Sequence, residues 1–503
     1  MKFKKNKQRH KTKNCITFGE ILQGETIRGV QNDIKFGTDG WRGVMAWDFT
    51  FARVRKLAQA LADFILSEMT AEKSSSYPVV VGYDTRFLSD KFASEIALIL
   101  KSNKINVTLC EKPVPTPLIS LLTAKRFKMG VIVTASHNPF QYNGVKIKFN
   151  GYSASKELTD KIESLIGKHS PMSDDTSPIK IKDFTDEYVG YIKSKFNVGA
   201  IKSKIKKPIA LDYMFGTQAG KLEKILSSQK VIAINDAPDP MFKGINPEPI
   251  EKNLKNLIDT VRKNKTAGGF AFDCDGDRLT VIDEKGKIIT PCQIFPVILK
   301  YLIEQKKLKG KIIQTVSMGY LGKKIAEKKG FDFEQIPVGF KHLSKKMSEE
   351  KILAAAEESG GFAWQKASVE RDGLLTTLLM LEIMAKTGKK LSELVSEIES
   401  EYGKSVFIRR DFTLLKPIPE QGIFIKRLIK KLPKKISGVP IKEAMSVDGL
   451  KIILDNDHWV LIRPSGTEKY FRIYAESDTV SNTNSLMDYA IKLMSKYLDT
   501  SKK

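Results

Sequence analysis

Residues 77–100, "YPVVVGYDTRFLSDKFASEIALIL", decide the fold class. Val79 to Val81 form a short continuous apolar run, as strands buried on both faces do. A polar loop containing a glycine follows, and then an amphipathic helical stretch. The same plan returns in residues 207–226, "KPIALDYMFGTQAGKLEKIL", and in residues 310–330, "GKIIQTVSMGYLGKKIAEKKG". Strands alternating with helices in this way build βαβ units on parallel or mixed sheets. Three such layers account for most of the chain.

At 503 residues and 56.5 kDa the chain is too long for one core, and a domain size of about 150 residues points to three or four domains. Its 41% apolar and 28% charged residues are those of a globular protein in water. No apolar run approaches the roughly 18 residues a bilayer span needs. The richest, Leu374 to Ala385, is interrupted by Thr376, Thr377 and Glu382 and reads as a core helix, so no membrane partner is expected. The basic start "MKFKKNKQRHKTKN" lacks an apolar segment and a cleavage site, and residues 1–33 are expected to be a disordered extension. Cys15, Cys110, Cys274 and Cys292 lie far apart with no CxxC, which argues against disulfides and thiolate zinc and for a reducing cytoplasm. The net charge of +26 invites a nucleic-acid reading. Yet the lysines spread over every segment without a nucleic-acid motif, and the same field favours small anionic substrates.

After Glu401–Gly403 the pattern changes. Residues 450–477, "LKIILDNDHWVLIRPSGTEKYFRIYAES", read as strands joined by tight turns, and a helix is expected from about Asn482 to Leu498. Turn-formers and charge mark further boundaries at Gly167–Pro178 and Glu304–Lys311.

Four loops carry chemistry. In "GGFAFDCDGDRLTVID" the carboxylates of Asp273, Asp275 and Asp277 alternate and face one way in an extended loop, where they repel unless a cation such as Mg²⁺ sits among them. A calcium EF-hand is excluded because Arg278 stands where the sharp turn needs glycine. In "RPSGTEKYFRIY", Arg463, Ser465, Gly466 and Thr467 make a phosphate-binding loop, and Arg472 on the next strand adds a cation. In "AAAEESGGFAW", Glu357, Glu358 and Ser359 suit recognition of sugar hydroxyls, or end a helix at Gly360. Ser136, in "GVIVTASHNPFQYNGVKI", lies outside the GxSxG elbow because Thr134 and Asn138 occupy its glycine positions. A serine beside a carboxylate-bound cation and a phosphate loop suggests phosphoryl transfer. No P-loop or kinase signature is present, so ATP is not the expected donor.

Taken together, "TASHNP" (Thr134–Pro139), "DCDGDR" (Asp273–Arg278), "EESGG" (Glu357–Gly361) and "RPSGTE" (Arg463–Glu468) resemble, in order and spacing, the α-D-phosphohexomutase family of phosphoglucomutases and phosphomannomutases. "FGTDGWRG" (Phe36–Gly43) resembles its N-terminal signature. The resemblance implies four domains around a central cleft, three similar α/β domains with mixed sheets and a smaller C-terminal α+β domain. The expected bounds are 34–172 with the phosphoserine loop, 173–306 with the metal loop, 307–402 with the sugar loop and 403–503 with the phosphate loop. It implies a cytoplasmic isomerase, monomer or homodimer, that moves phosphate between C1 and C6 of glucose or mannose through a phosphoserine and a hexose 1,6-bisphosphate, glucose 1,6-bisphosphate also serving as activator.

By the same resemblance Ser136 is the phosphoserine, and Asp273, Asp275 and Asp277 hold Mg²⁺ against its phosphate with Arg278 alongside. Lys146 matches a lysine placed near the general-base role, Arg42 a basic residue beside the phosphoserine, and His137 steadies the serine loop. Glu357 and Ser359 would touch the sugar, and Arg463, Ser465, Gly466 and Thr467 its non-reacting phosphate. Where many members carry histidine this chain has Gly361, leaving Lys341 and Arg371 as candidates for the missing contact; Lys469 replaces a frequent proline. That missing histidine favours glucose or mannose over glucosamine. The alternatives are a phosphoglucosamine mutase, or a non-catalytic scaffold for sugar phosphates or nucleic acid.

Overall fold

Each of the three α/β layers is built on one strand plan. In the first sheet the central strand Val79–Tyr83 lies between Val107–Cys110 and Met129–Val133, all parallel, and Met129–Val133 then pairs antiparallel with Tyr142–Phe149. The second sheet repeats this with Ile209–Asp212 between Val231–Ile234 and Gly269–Phe272, the latter antiparallel to Leu279–Ile282. The third has Lys311–Thr315 between Phe333–Ile336 and Ile352–Glu357, the latter antiparallel to Gly361–Trp364. The three central strands fall in the three segments whose sequences share a plan. The computed structural model describes residues 34–37, 39–71, 76–368, 370–414, 418, 420–464 and 470–500. From Phe36 onward they form one compact unit.

Strands Val79–Tyr83 and Met129–Val133 run without polar alternation because both of their faces are covered. Val79 to Val81 and Val131 to Val133 are completely buried, and fully burying one such side chain contributes roughly 1.5–3 kcal/mol. Helix Thr116–Lys125 packs so close to the first sheet that a Cβ at Gly130 would collide with Ile119 Cγ2. The apolar run around Leu374 is helix Gly373–Thr387, buried on almost every side and capped by Asp372, whose carboxylate accepts the Leu375 N–H at 3.0 Å. Among the described residues no helix is long and apolar enough to cross a membrane.

The fourth layer is an antiparallel sheet in the order Val406–Thr413, Tyr470–Ser477, Trp459–Pro464, Leu450–Leu454, Val439–Met445 and Lys435–Ile436. Helix Val480–Thr500 covers it, about a turn longer than the expected 482–498. Two expected boundaries move. Strand Lys180–Lys182 joins the first sheet parallel to Val107–Cys110, although residues from 173 were expected in the second domain. Helix Pro291–Glu304, also expected there, packs on helices Leu321–Lys329 and Leu391–Tyr402 of the third layer. A capping box, Thr290 with Gln293, and Pro291 at the first turn start this helix afresh after the second sheet. The charged run near 304–311 is thus an internal turn of the third layer.

Candidate active site

The shared plan puts three loops at equivalent places, the carboxyl ends of the parallel strands where each turns into its antiparallel partner. Ligands of open α/β sheets gather at such strand ends. Residues 134–141 hold Ser136, residues 273–278 the three aspartates, and residues 358–360 Glu358 and Ser359.

Ser136 has φ 53°, left-handed backbone that a serine adopts only when its surroundings fix it. Its N–H donates to Thr134 Oγ1 at 2.9 Å. The stronger restraint is Arg86, whose guanidinium donates to the carbonyls of Ser136 (2.5 Å), Asn138 (2.6 Å), Pro139 (2.9 Å) and Tyr142 (3.1 Å) while Asp84 balances its charge at 3.3 Å. Arg86 thus defines the serine loop from beneath, a role the sequence reading did not assign. Arg42 adds a bond to Asn138 Oδ1 at 2.6 Å. His137 Nδ1 is buried without a hydrogen-bond partner among the described residues. Burial first, and then Arg278, Arg42 and Lys146, push this imidazole well below its ordinary pKa, so it is neutral at neutral pH.

Ser136 Oγ donates to Asp273 Oδ2 at 2.9 Å, which joins the serine loop to the aspartate loop. Asp273, Asp275 and Asp277 bring one oxygen each within 4.8 Å of one another, all buried. Burial, then Asp277 and Asp275, raise the Asp273 carboxyl well above its usual range. Asp277 resists burial because Arg371, Lys146 and Arg278 hold it low. Asp275 Oδ1 and Asp277 Oδ1 are buried with no hydrogen-bond partner among the described residues. Two orphaned hard oxygens beside a crowded third carboxylate suit a divalent cation. Arg278 lies alongside, its Nε 3.7 Å from Asp273 and 4.0 Å from Asp277.

Around this centre the first three layers are joined by charge. Lys146 Nζ lies 2.8 Å from Asp39, 2.8 Å from Asp275 and 3.1 Å from Asp277. Burial would lower its pKa, but the three carboxylates outweigh that and raise it. Lys146 is therefore held protonated among these carboxylates. Arg371 donates to Asp277 (2.9 Å), to Asp39 (3.1 Å) and to Glu357, so one guanidinium touches a carboxylate from each layer. A Cβ at Gly361 would meet Arg371 Cδ at 2.7 Å and Phe340 at 3.1 Å, so the arginine fills the space above that glycine. Beneath them Lys148 pairs with Glu370 at 2.7 Å.

In the third of these loops, the Ser359 hydroxyl donates to Glu357, while Glu358 accepts from Ser317 and, at 3.3 Å, from Thr315. Arg278, Glu358, Ser359 and Arg409 line part of a cavity of about 890 Å³ bounded by the second, third and fourth layers. Lys341 is half-buried at the start of helix Phe340–Glu349. In the fourth layer Arg463 and Arg472 face each other across Trp459–Pro464 and Tyr470–Ser477. Asp448 holds Arg463 at 2.9 Å and Asp411 holds Arg472 at 3.3 Å. Ser465, Gly466 and Thr467 lie outside the described residues.

All four layers match models of one family: phosphoglucomutase/phosphomannomutase, alpha/beta/alpha domain I over residues 33–172, domain II over 186–286, domain III over 290–402, and the C-terminal domain over 425–493. The chain belongs to the phosphoglucomutase/phosphomannomutase family. It is a phosphohexomutase, an intramolecular phosphotransferase of the isomerase class. Similar proteins include the phosphoglucosamine mutase of Clostridium novyi, 31% identical over 91% of this chain and 98% of that one. The phosphoglucomutase/phosphomannomutase of Thermococcus kodakarensis is 30% identical over 92% and 99%. The solved structure of a provisionally assigned phosphomannomutase from Thermus thermophilus superposes with TM-score 0.80, at 31% identity over 92% and 99%. In this phosphohexomutase the structure brings Ser136, His137, Arg42, Lys146, Asp273, Asp275, Asp277, Arg278, Glu357 and Arg371 to one place, and it adds Arg86 and Asp39.

Proposed function

We propose that this phosphohexomutase interconverts the 1- and 6-phosphates of glucose or mannose through a phosphoserine at Ser136 and a hexose 1,6-bisphosphate. The observation that carries the reading is Ser136 Oγ lying 2.9 Å from the aspartate cluster, on a loop that Arg86 fixes, with Arg42, Arg278 and Lys146 around it. Positioning and charge neutralisation are what phosphoryl transfer asks of a protein. A sugar hydroxyl oxygen bonds to the phosphorus as the bond from phosphorus to Oγ breaks; the proton the hydroxyl loses is balanced by the one Oγ gains. After the bisphosphate reorients, Oγ takes back the other phosphoryl group. Asp273, Asp275 and Asp277 would hold Mg²⁺, which when bound neutralises charge on the phosphoryl oxygens.

Glu357 and Ser359 are assigned to sugar hydroxyls, with Lys341 at the cleft wall, and Arg463, Ser465, Gly466, Thr467 and Arg472 to the distant phosphate. Arg371 is assigned to positioning, since its described partners are carboxylates. The buried free thiols of Cys110, Cys274 and Cys292 fit action in a reducing cytoplasm, and the protein is assigned there as a monomer or homodimer. The name of the Clostridium novyi relative favours a second reading, glucosamine phosphate as substrate. Glucose, mannose and glucosamine 1-phosphates incubated separately with protein, Mg²⁺ and catalytic glucose 1,6-bisphosphate, followed by ³¹P NMR, separate the two. Conversion of glucose or mannose 1-phosphate to the 6-phosphate without free phosphate supports the proposal; turnover of glucosamine 1-phosphate alone replaces it with the second reading.

A further inference from the structure

The arginine read as the phosphate grip does not stand alone on its strand. One oxygen, Asp448 Oδ2, accepts from Arg463 Nε at 2.9 Å and from the backbone N–H of Val338 at 3.0 Å. Arg463 belongs to the fourth layer. Val338 belongs to the third, in the short connection between strand Phe333–Ile336 and helix Phe340–Glu349, the helix that begins with Phe340 and Lys341. A single carboxylate therefore aims the arginine and fastens its layer to the segment carrying Lys341.

The fold holds this carboxylate in place. Asp448 sits in the turn between strands Val439–Met445 and Leu450–Leu454, and Gly449 follows at φ 96°, a conformation glycine adopts freely. A Cβ there would come within 3.0 Å of Arg463 Cα, so the turn and the arginine strand are in close contact. The pair is only partly exposed, at 24% for Asp448 and 19% for Arg463, so it is less screened by water than a surface pair. A second carboxylate, Glu476, secures the same two layers elsewhere. It accepts from the Tyr320 N–H at 2.8 Å and Trp459 Nε1 at 2.6 Å, without touching Arg463. The layers therefore remain joined when Asp448 is changed, and the two contacts can be tested separately.

We propose that Asp448 is a positioning residue for the substrate-phosphate grip, aligning Arg463 and latching the fourth domain to the third through the Val338 N–H. The inference rests on the reading of Arg463 as the phosphate-binding arginine. With the latch made, the guanidinium edge not used by Asp448 is presented at a fixed distance from the sugar loop. Without it, Arg463 must be ordered by the substrate itself, and binding weakens while the chemistry at Ser136 is untouched.

The test compares D448A, D448N and R463A using whichever of glucose, mannose and glucosamine 1-phosphate turns over fastest, together with amide hydrogen exchange at Val338 and Tyr320. Loss of a charge-assisted bond is worth about tenfold or more, so D448A should raise KM about tenfold while kcat stays within about threefold. Exchange at Val338 should quicken and that at Tyr320 stay as in the wild type, which also shows that D448A is folded. D448N, which keeps one acceptor oxygen, should fall between. The double variant D448A/R463A should have the KM of R463A alone, because both act through one group. A normal KM in D448A beside a raised KM in R463A overturns the proposal, and so does a double variant whose effects simply multiply. A normal KM in R463A overturns the grip reading itself.

Discussion

Replacing Arg371 by methionine tests whether charge holds the first three domains together. The guanidinium serves Asp39, Asp277 and Glu357, all largely or fully buried. Asp277 and Asp39 would still have Lys146, at 3.1 and 2.8 Å, whereas among the described residues Glu357 would keep only the Ser359 hydroxyl as a hydrogen-bond donor, with Arg278 as a more distant cation. The cost should therefore concentrate on Glu357, and breaking a buried ion pair from one side costs about 3–5 kcal/mol. Burial raises the Glu357 carboxyl and Arg371 opposes the rise, so R371M should push it higher still. A carboxyl raised in the folded state favours folding at low pH, so the R371M deficit should shrink as pH falls through that raised value. Calorimetry and urea unfolding across pH measure both effects, with R371M/E357Q closing the cycle. Removing the orphaned carboxylate should make the double variant recover roughly 1–3 kcal/mol relative to R371M. A loss below about 1 kcal/mol in R371M, or costs that add within about 0.5 kcal/mol, would refute the reasoning.

Three further outcomes follow from the same geometry. S136A should abolish turnover while costing no more than about 2 kcal/mol of stability, since it removes one hydrogen bond, to Asp273; retained turnover would remove the serine from the reaction. Mg²⁺ at a hundredfold excess over its Kd should stabilise the wild type by about 2.7 kcal/mol and D275N by much less, read by calorimetry without substrate, and an equal gain in both would place the cation elsewhere. Burial pushes the Asp372 carboxyl up to about 7, so its contribution is fully present below the unfolded value and lost as pH rises through about 7. D372N takes up no proton, so the stability difference between wild type and D372N should fall across that window, and a difference that does not change with pH would contradict the buried acid.

The sequence made visible what depends on local composition. The three valine-like strand segments became the central strands of three equivalent sheets, and three of the four chemical loops came to the end of a neighbouring strand, because buried parallel strands leave a continuous apolar signal. Arg86, Asp39 and Asp448 were not legible. The carbonyls that Arg86 holds come from residues 50 to 56 positions away, and Asp448 meets Val338 across 110 residues; no spacing rule reaches that far. Arg371 was singled out as a sugar contact, whereas packing over Gly361 turns its fork toward three carboxylates. The boundary between the first and second domains was hidden because Lys180–Lys182 is short and exposed, and its place in the first sheet depends on backbone pairing with Val107–Cys110 rather than on apolar content.

The central claim is that phosphate passes through Ser136. The direct measurement incubates the purified protein with glucose 1,6-bisphosphate and Mg²⁺, digests it, and locates phosphate by peptide mass spectrometry before and after a chase with the hexose monophosphate that turns over. Phosphate confined to the peptide containing Ser136, lost on the chase and recovered in the bisphosphate, is the predicted result. Phosphate on another residue, or a phosphoserine that the chase leaves in place while turnover continues, would contradict it.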